Sequence, residues 1–154
     1  MTYIKKILIL CAAALFMACV VQNRDGKGVK QGVYGTVTWV SGNMMPSPDE
    51  PRASEGRPVE RQINIYKVVT INEVEGTAPL YRAVQGKLVK SVKSNSKGYY
   101  ECELEPGDYS VFVVEKNGEL FANISNGRGQ INPITVQSNN GVKFDIQINY
   151  QAAY

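Results

Sequence analysis

Between Val142 and Tyr150 apolar and polar side chains alternate: Val142, Phe144, Ile146, Ile148 and Tyr150 against Lys143, Asp145, Gln147 and Asn149. A period of two puts every apolar side chain on one side of an extended strand, whereas a helix would scatter them around its axis. The same period recurs upstream. Val33, Gly35, Val37 and Trp39 alternate with Tyr34, Thr36 and Thr38, and Tyr100, Cys102 and Leu104 with Glu101 and Glu103. Tyr109, Val111 and Val113 resume it after Pro106-Gly107-Asp108. Ile63 and Ile65 begin another strand that Val68-Val69 extends. Leu88, Val89 and Val92 lie in a weaker one, and Ile131, Ile134 and Val136 form a further one. Beyond the N-terminal segment no stretch sustains a helical period. With 14 glycines and 7 prolines punctuating 154 residues, the chain reads as one all-β domain, a single β-sandwich of about seven strands.

The connections carry their own signals. Pro106-Gly107 suits the centre of a type II turn, with proline fixing one φ and glycine supplying the next; this predicts a hairpin over 104–113 with Cys102, Tyr109, Val111 and Val113 facing inward. Tyr109 can then bury its ring and send its hydroxyl to a backbone partner. Gly98 offers a positive φ before Tyr99, and Asn117-Gly118 marks a tight turn. Residues 41–58 hold Gly42-Asn43, Pro46, Pro48, Pro51 and Pro58 and cannot form an inner strand. Residues 72–79 read as a second loop.

The N-terminal segment has a different character. Lys5 and Lys6 precede an apolar run, Ile7 to Val21, and polar residues start at Gln22. A basic start, an apolar stretch and a small residue before a cut site make a secretory signal. The run falls short of the roughly 18 residues a membrane span needs. Leu15-Phe16-Met17-Ala18-Cys19 resembles the lipobox of bacterial lipoproteins, whose cysteine thiol is acylated, with palmitate among the chains, and becomes the first residue after cleavage. The alternative is an ordinary signal peptide with a cysteine near its end. The resemblance implies a signal peptide over 1–18, lipidation at Cys19, a lipid-anchored tether over 19–31 and the sandwich over 32–154. Loss of Lys5 and Lys6 leaves the chain almost neutral, so acyl chains rather than charge would hold it to a membrane. By resemblance to known sorting rules, Val20 in place of aspartate after the cysteine implies an address in the cell envelope at the outer membrane.

Within the body, Gly35-Thr36-Val37-Thr38, Gly56-Arg57-Pro58-Val59, Ser94-Asn95-Ser96-Lys97-Gly98-Tyr99-Tyr100 and Leu104-Glu105-Pro106-Gly107-Asp108-Tyr109-Ser110-Val111 resemble the carboxypeptidase regulatory-like domain, one of the transthyretin-like (prealbumin-like) sandwiches. The resemblance covers roughly residues 32–150 and implies a sandwich that is mostly non-catalytic. Hydroxyisourate hydrolases share that group but depend on histidines and on a Tyr-Arg-Gly-Ser tail. This chain has no histidine and ends in Asn149-Tyr150-Gln151-Ala152-Ala153-Tyr154.

The absence of histidine removes the commonest general base and metal ligand. Cys102 alternates with core residues and reads as a small apolar side chain rather than a nucleophile. Asp49, Glu50 and Glu55 match no calcium-loop spacing, so neither a metal nor a cofactor is expected. A formal charge of +3 without a Lys/Arg cluster gives no sign of nucleic acid. Amide side chains offer donor and acceptor together and so suit sugar hydroxyls, although they also build turns. Asn43, Asn123, Asn126, Arg128 and Asn132 are therefore the candidate contacts for a ligand. Tyr34, Trp39, Tyr66, Tyr81, Phe112 and Phe121 are available either as core or as a stacking platform. Two readings follow: a non-catalytic envelope lipoprotein whose sandwich is a structural or protein-interaction module, or a glycan-binding lipoprotein using loop amides and an exposed aromatic.

Overall fold

Residues 28–45 and 56–154 are described by a computed structural model; the signal segment, Cys19, Asp49, Glu50 and Glu55 lie outside them. The described chain is an all-β sandwich. Its strands are β1 (Gly32–Asn43), β2 (Arg57–Pro58), β3 (Gln62–Lys67), β4 (Val74–Thr77), β5 (Leu80–Val84), β6 (Leu88–Lys93), β7 (Tyr99–Glu103), β8 (Gly107–Val114), β9 (Leu120–Phe121), β10 (Pro133–Val136), β11 (Gly141–Lys143) and β12 (Ile146–Ala153).

The first sheet is built around β1. β11 and β12 follow one another along one of its edges, both parallel to it, and β7 and β2 line the other edge antiparallel. In the second sheet the order is β4-β5-β9-β8-β3-β6, with β10 also paired to β8. Side chains from both inner faces form the main core, which includes Val33, Val37, Ile65, Tyr100, Val111 and Ile148. The second sheet buries its outer face as well. Tyr66 and Phe112 point outward there and are covered by Tyr81, Leu120, Ala122 and Ile131, with the Phe112 ring edge-on to both tyrosines.

The alternation expected over 142–150 is present but interrupted. The chain leaves the ladder at Phe144-Asp145 and rejoins it without changing register, Val33 pairing with Val142 and Val37 with Ile146. The Asp145 carboxylate spans the gap: its Oδ1 accepts the Thr36 N–H at 2.9 Å and the Thr36 hydroxyl at 3.0 Å. Opposite the gap is Gly35, where a Cβ would collide with the Phe144 carbonyl. The interruption splits one expected strand into β11 and β12, and β2, β4, β5 and β9 are additional, so the described residues hold twelve strand segments where about seven were expected.

Two turn readings change. Residues 104–106 do not close a hairpin, because β7 pairs with β1 whereas β8 pairs with β3, β9 and β10. The Pro106-Gly107 segment carries the chain from one sheet to the other. The inward faces expected on either side are observed, with Cys102, Tyr109, Val111 and Val113 all buried. The Tyr109 hydroxyl donates to the Glu105 carbonyl at 2.7 Å and ties the crossing to the strand after it. Residues 72–79 are not an open loop: a single 3-10 turn (Ile71–Glu73) leads into β4, which pairs with β5. β4 is an edge strand with only Val74 half-buried, so it shows no apolar alternation. The turn at Asn117-Gly118 joins β8 to β9, with Glu115 N–H donating to the Glu119 carbonyl at 2.8 Å.

Candidate functional site

Asn126 and Arg128 come together in the structure. They belong to a narrow excursion between β9 and β10 whose two arms meet at Ser125 and Ile131 and whose second arm bridges to Thr70. Asn126 builds its turn. Its Oδ1 accepts the N–H groups of Arg128 and Gln130 at 3.0 and 3.1 Å, and its Nδ2 donates to Gln130 Oε1 at 2.7 Å. An asparagine suits this place because its short amide substitutes for a backbone turn. Below the turn, Asn126, Arg128 and Gln130 form one side of a depression of about 240 Å³, and Asp108, Ile134 and Thr135 line its other side. Thr135 Oγ1 donates to Asp108 Oδ1 at 2.7 Å. Among the described residues the Arg128 guanidinium makes no ion pair. The depression thus presents a free guanidinium, a carboxylate, a hydroxyl and amides, a set able to bond polar groups of either sense.

The other candidates are elsewhere or engaged. Asn123 starts the same excursion, and its Nδ2 reaches the Gln147 carbonyl at 3.5 Å and Asn149 Oδ1 at 3.3 Å, fastening the excursion to β12. Asn132 is 1% exposed. Its amide donates to the Val111 carbonyl and accepts the Ile124 N–H, each at 3.0 Å, so it acts inside the fold. Asn43 ends β1 opposite Ala153, where its Oδ1 accepts the Met45 N–H. Turn-building and loop-fastening thus occupy most of these amides.

The aromatic residues are largely core. Phe112 and Phe121 are fully buried, and Tyr66 and Tyr81 nearly so. Trp39 packs edge-on against Tyr150 at 5.3 Å, with the Arg61 guanidinium 5.8 Å from its ring. Arg61 pairs with the buried Glu115 carboxylate at 3.3 Å, whose other oxygen accepts the Tyr150 hydroxyl at 3.1 Å. This half-buried charge network closes on itself. Large apolar side chains stand out in the neighbourhood of the depression instead: Ile71 is 57% and Ile124 51% exposed. The Ile71 N–H donates to the Gly129 carbonyl, and the Asn132 N–H to the Ile124 carbonyl, so both isoleucines flank the Asn126 turn.

Cys102 is buried, and burial pushes its thiol pKa up, with the Lys90 charge opposing and Glu103 adding to the rise. Among the described residues no three acidic or cysteine side chains converge as metal ligands, and no helix is long and apolar enough to cross a membrane.

Comparison with family models, with curated proteins and with solved structures gives no match.

The sequence reading missed a second cleft, lined by Lys30, Lys67 and Lys90 together with Tyr109. No sequence signal joins these lysines; only the stacking of the two sheets does.

Proposed function

We propose that the chain is a non-catalytic lipoprotein of the cell envelope, held at the outer membrane through acyl chains on Cys19, whose sandwich is a structural or protein-interaction module. The observation that carries this reading is the pair Ile71 and Ile124, each more than half exposed on either side of the Asn126 turn. Apolar groups beside bonded amides and a free guanidinium suit the mixed chemistry of a protein surface. The nearly neutral chain that cleavage would leave makes acyl chains the natural anchor.

A glycan ligand is the second reading, supported by the polar lining of the depression, where Asp108, Asn126, Arg128, Gln130 and Thr135 meet. Crosslinking in intact cells, with purification of the crosslinked partner, tests the first reading. A discrete envelope protein captured by the wild type and lost with Ile71→Asp plus Ile124→Asp supports it. Capture unchanged by those substitutions, combined with saturable glycan binding abolished by Arg128→Ala, selects the glycan. Mass spectrometry of the mature protein tests the anchor: acyl chains on an N-terminal Cys19 are expected, and an unmodified N-terminus overturns it.

A further inference from the structure

At the end of the sandwich where the chain enters β1, the two sheets part to leave a cleft of about 420 Å³. Three lysines from separate parts of the fold line it: Lys30 precedes β1, Lys67 ends β3 and Lys90 lies in β6. Lys67 Nζ sits 4.5 Å from the Tyr109 ring centroid, within hydrogen-bond reach of its hydroxyl at 3.5 Å. Lys90 Nζ donates to the Glu103 carbonyl at 2.6 Å. Two of the three ammonium groups are therefore positioned by the fold rather than left to wander. Glu103 and Glu105 line the same cleft, yet among the described residues none of the three lysines forms an ion pair. Three ammonium groups against two carboxylates leave the concavity with an excess of positive charge, which attracts an anion.

We propose that this cleft binds a phosphate monoester carried on a small polar body. A phosphate monoester brings a charge of about −1.5 to −2 and three terminal acceptors. Its three terminal oxygens can meet all three ammonium groups at once, which the two oxygens of a carboxylate cannot. The volume lies in the range of small-molecule pockets, roughly 300–1,000 Å³, so it has room for the carrier as well as the phosphate. Val89, Leu104 and the Tyr109 ring supply wall for the carrier's carbons, and the two glutamates supply acceptors for its hydroxyls. A soluble sugar phosphate and the headgroup of phosphatidic acid both present this chemistry. The site is separate from the Asn126 depression and does not depend on the reading given to it.

Titration calorimetry of the full chain with glucose 6-phosphate and glycerol 3-phosphate, against glucose and glycerol, tests the proposal. Saturable binding of the esters alone, weakening as salt rises, is the expected result. Lys67→Gln with Lys90→Gln should weaken it by about tenfold or more. Lys30→Glu should do the same without moving the melting temperature, since the Lys30 side chain makes no hydrogen bond or ion pair within the described fold; it decides the matter if the double variant fails to fold. Cosedimentation with phosphatidic acid in phosphatidylcholine vesicles, but not with phosphatidylcholine alone, and its loss with Lys30→Glu, would assign the lipid headgroup. Binding of the soluble esters without such cosedimentation would assign a soluble ligand. No binding by either source at about 10 mM phosphate, equal binding of inorganic sulfate, or wild-type affinity in the folded variants would overturn the proposal.

Discussion

Replacing Asp145 by alanine removes the side chain that spans the gap between β11 and β12. Two bonds disappear with it, from the Thr36 N–H at 2.9 Å and the Thr36 hydroxyl at 3.0 Å, along with the 2.8 Å ion pair to Lys143. A hydrogen bond to a charged acceptor contributes about 1.5–3 kcal/mol when shielded. Both Thr36 bonds lie where water reaches, and the Lys143 pair is exposed and contributes little. A loss of about 1–2 kcal/mol is therefore expected, equivalent to a fall of about 2–8 °C in Tm for a chain of this size. Urea and thermal unfolding at pH 7 measure it. Asp145→Asn keeps an acceptor oxygen and should lose less. The pH dependence separates charge from geometry. Partial burial draws the Asp145 pKa upward, but the Lys143 ammonium and the Thr36 donors outweigh it and hold the carboxyl below its ordinary range. A carboxyl depressed in the folded state contributes fully above its unfolded pKa, about 4, and loses that contribution as pH falls through the folded value. The wild type should thus lead the Asn variant at pH 7, and the lead should shrink below about pH 4. A loss under about 0.5 kcal/mol in the alanine variant, or a lead independent of pH, would refute the bridging role.

Phe112→Ala should cost about 3–5 kcal/mol in urea unfolding, since the ring is fully buried between Tyr66 and Tyr81; a loss below about 1 kcal/mol would show that the outer cluster does not support the second sheet. Gly98→Ala should destabilise by about 1–3 kcal/mol, because Gly98 has φ of 75° and its Cβ would stand 2.5 Å from the Val37 carbonyl oxygen; an unchanged Tm would contradict it. Cys102 should resist a thiol reagent in the native protein and react at once in denaturant, as its burial and raised pKa require. Fast native labelling would mean that β7 opens.

Strands whose inner face meets the main core were legible because burial on one side writes period two into the sequence, as in β7, β8 and β12. β4 was not, since an edge strand with one half-buried valine leaves no such imprint, and β5 buries or half-buries the neighbours Leu80 and Tyr81 and then Ala83 and Val84, which breaks the alternation. The crossing at Pro106-Gly107 looks like a hairpin in sequence because turn residues fix a local bend, while the partner of each strand depends on distant residues. The amide-rich stretch was recognisable, but an asparagine that builds a turn and one that faces a ligand look alike until their partners are seen. Asn126 and the buried Asn132 illustrate both limits. The lysine cleft was invisible because its charges come from β3, β6 and the approach to β1.

Pairing β1 with β12 sets an order in time. A ribosome delivers β1 before every strand it pairs with: β7 follows only after the first half of the second sheet, and β12 comes last among the described strands. Until β11 and β12 emerge, the parallel edge of β1 has no partner, and the long loop between them must be closed before any contact offsets the lost entropy. The first sheet is therefore completed late, after every strand of the second sheet has been delivered, so the two halves of the sandwich mature in sequence rather than together.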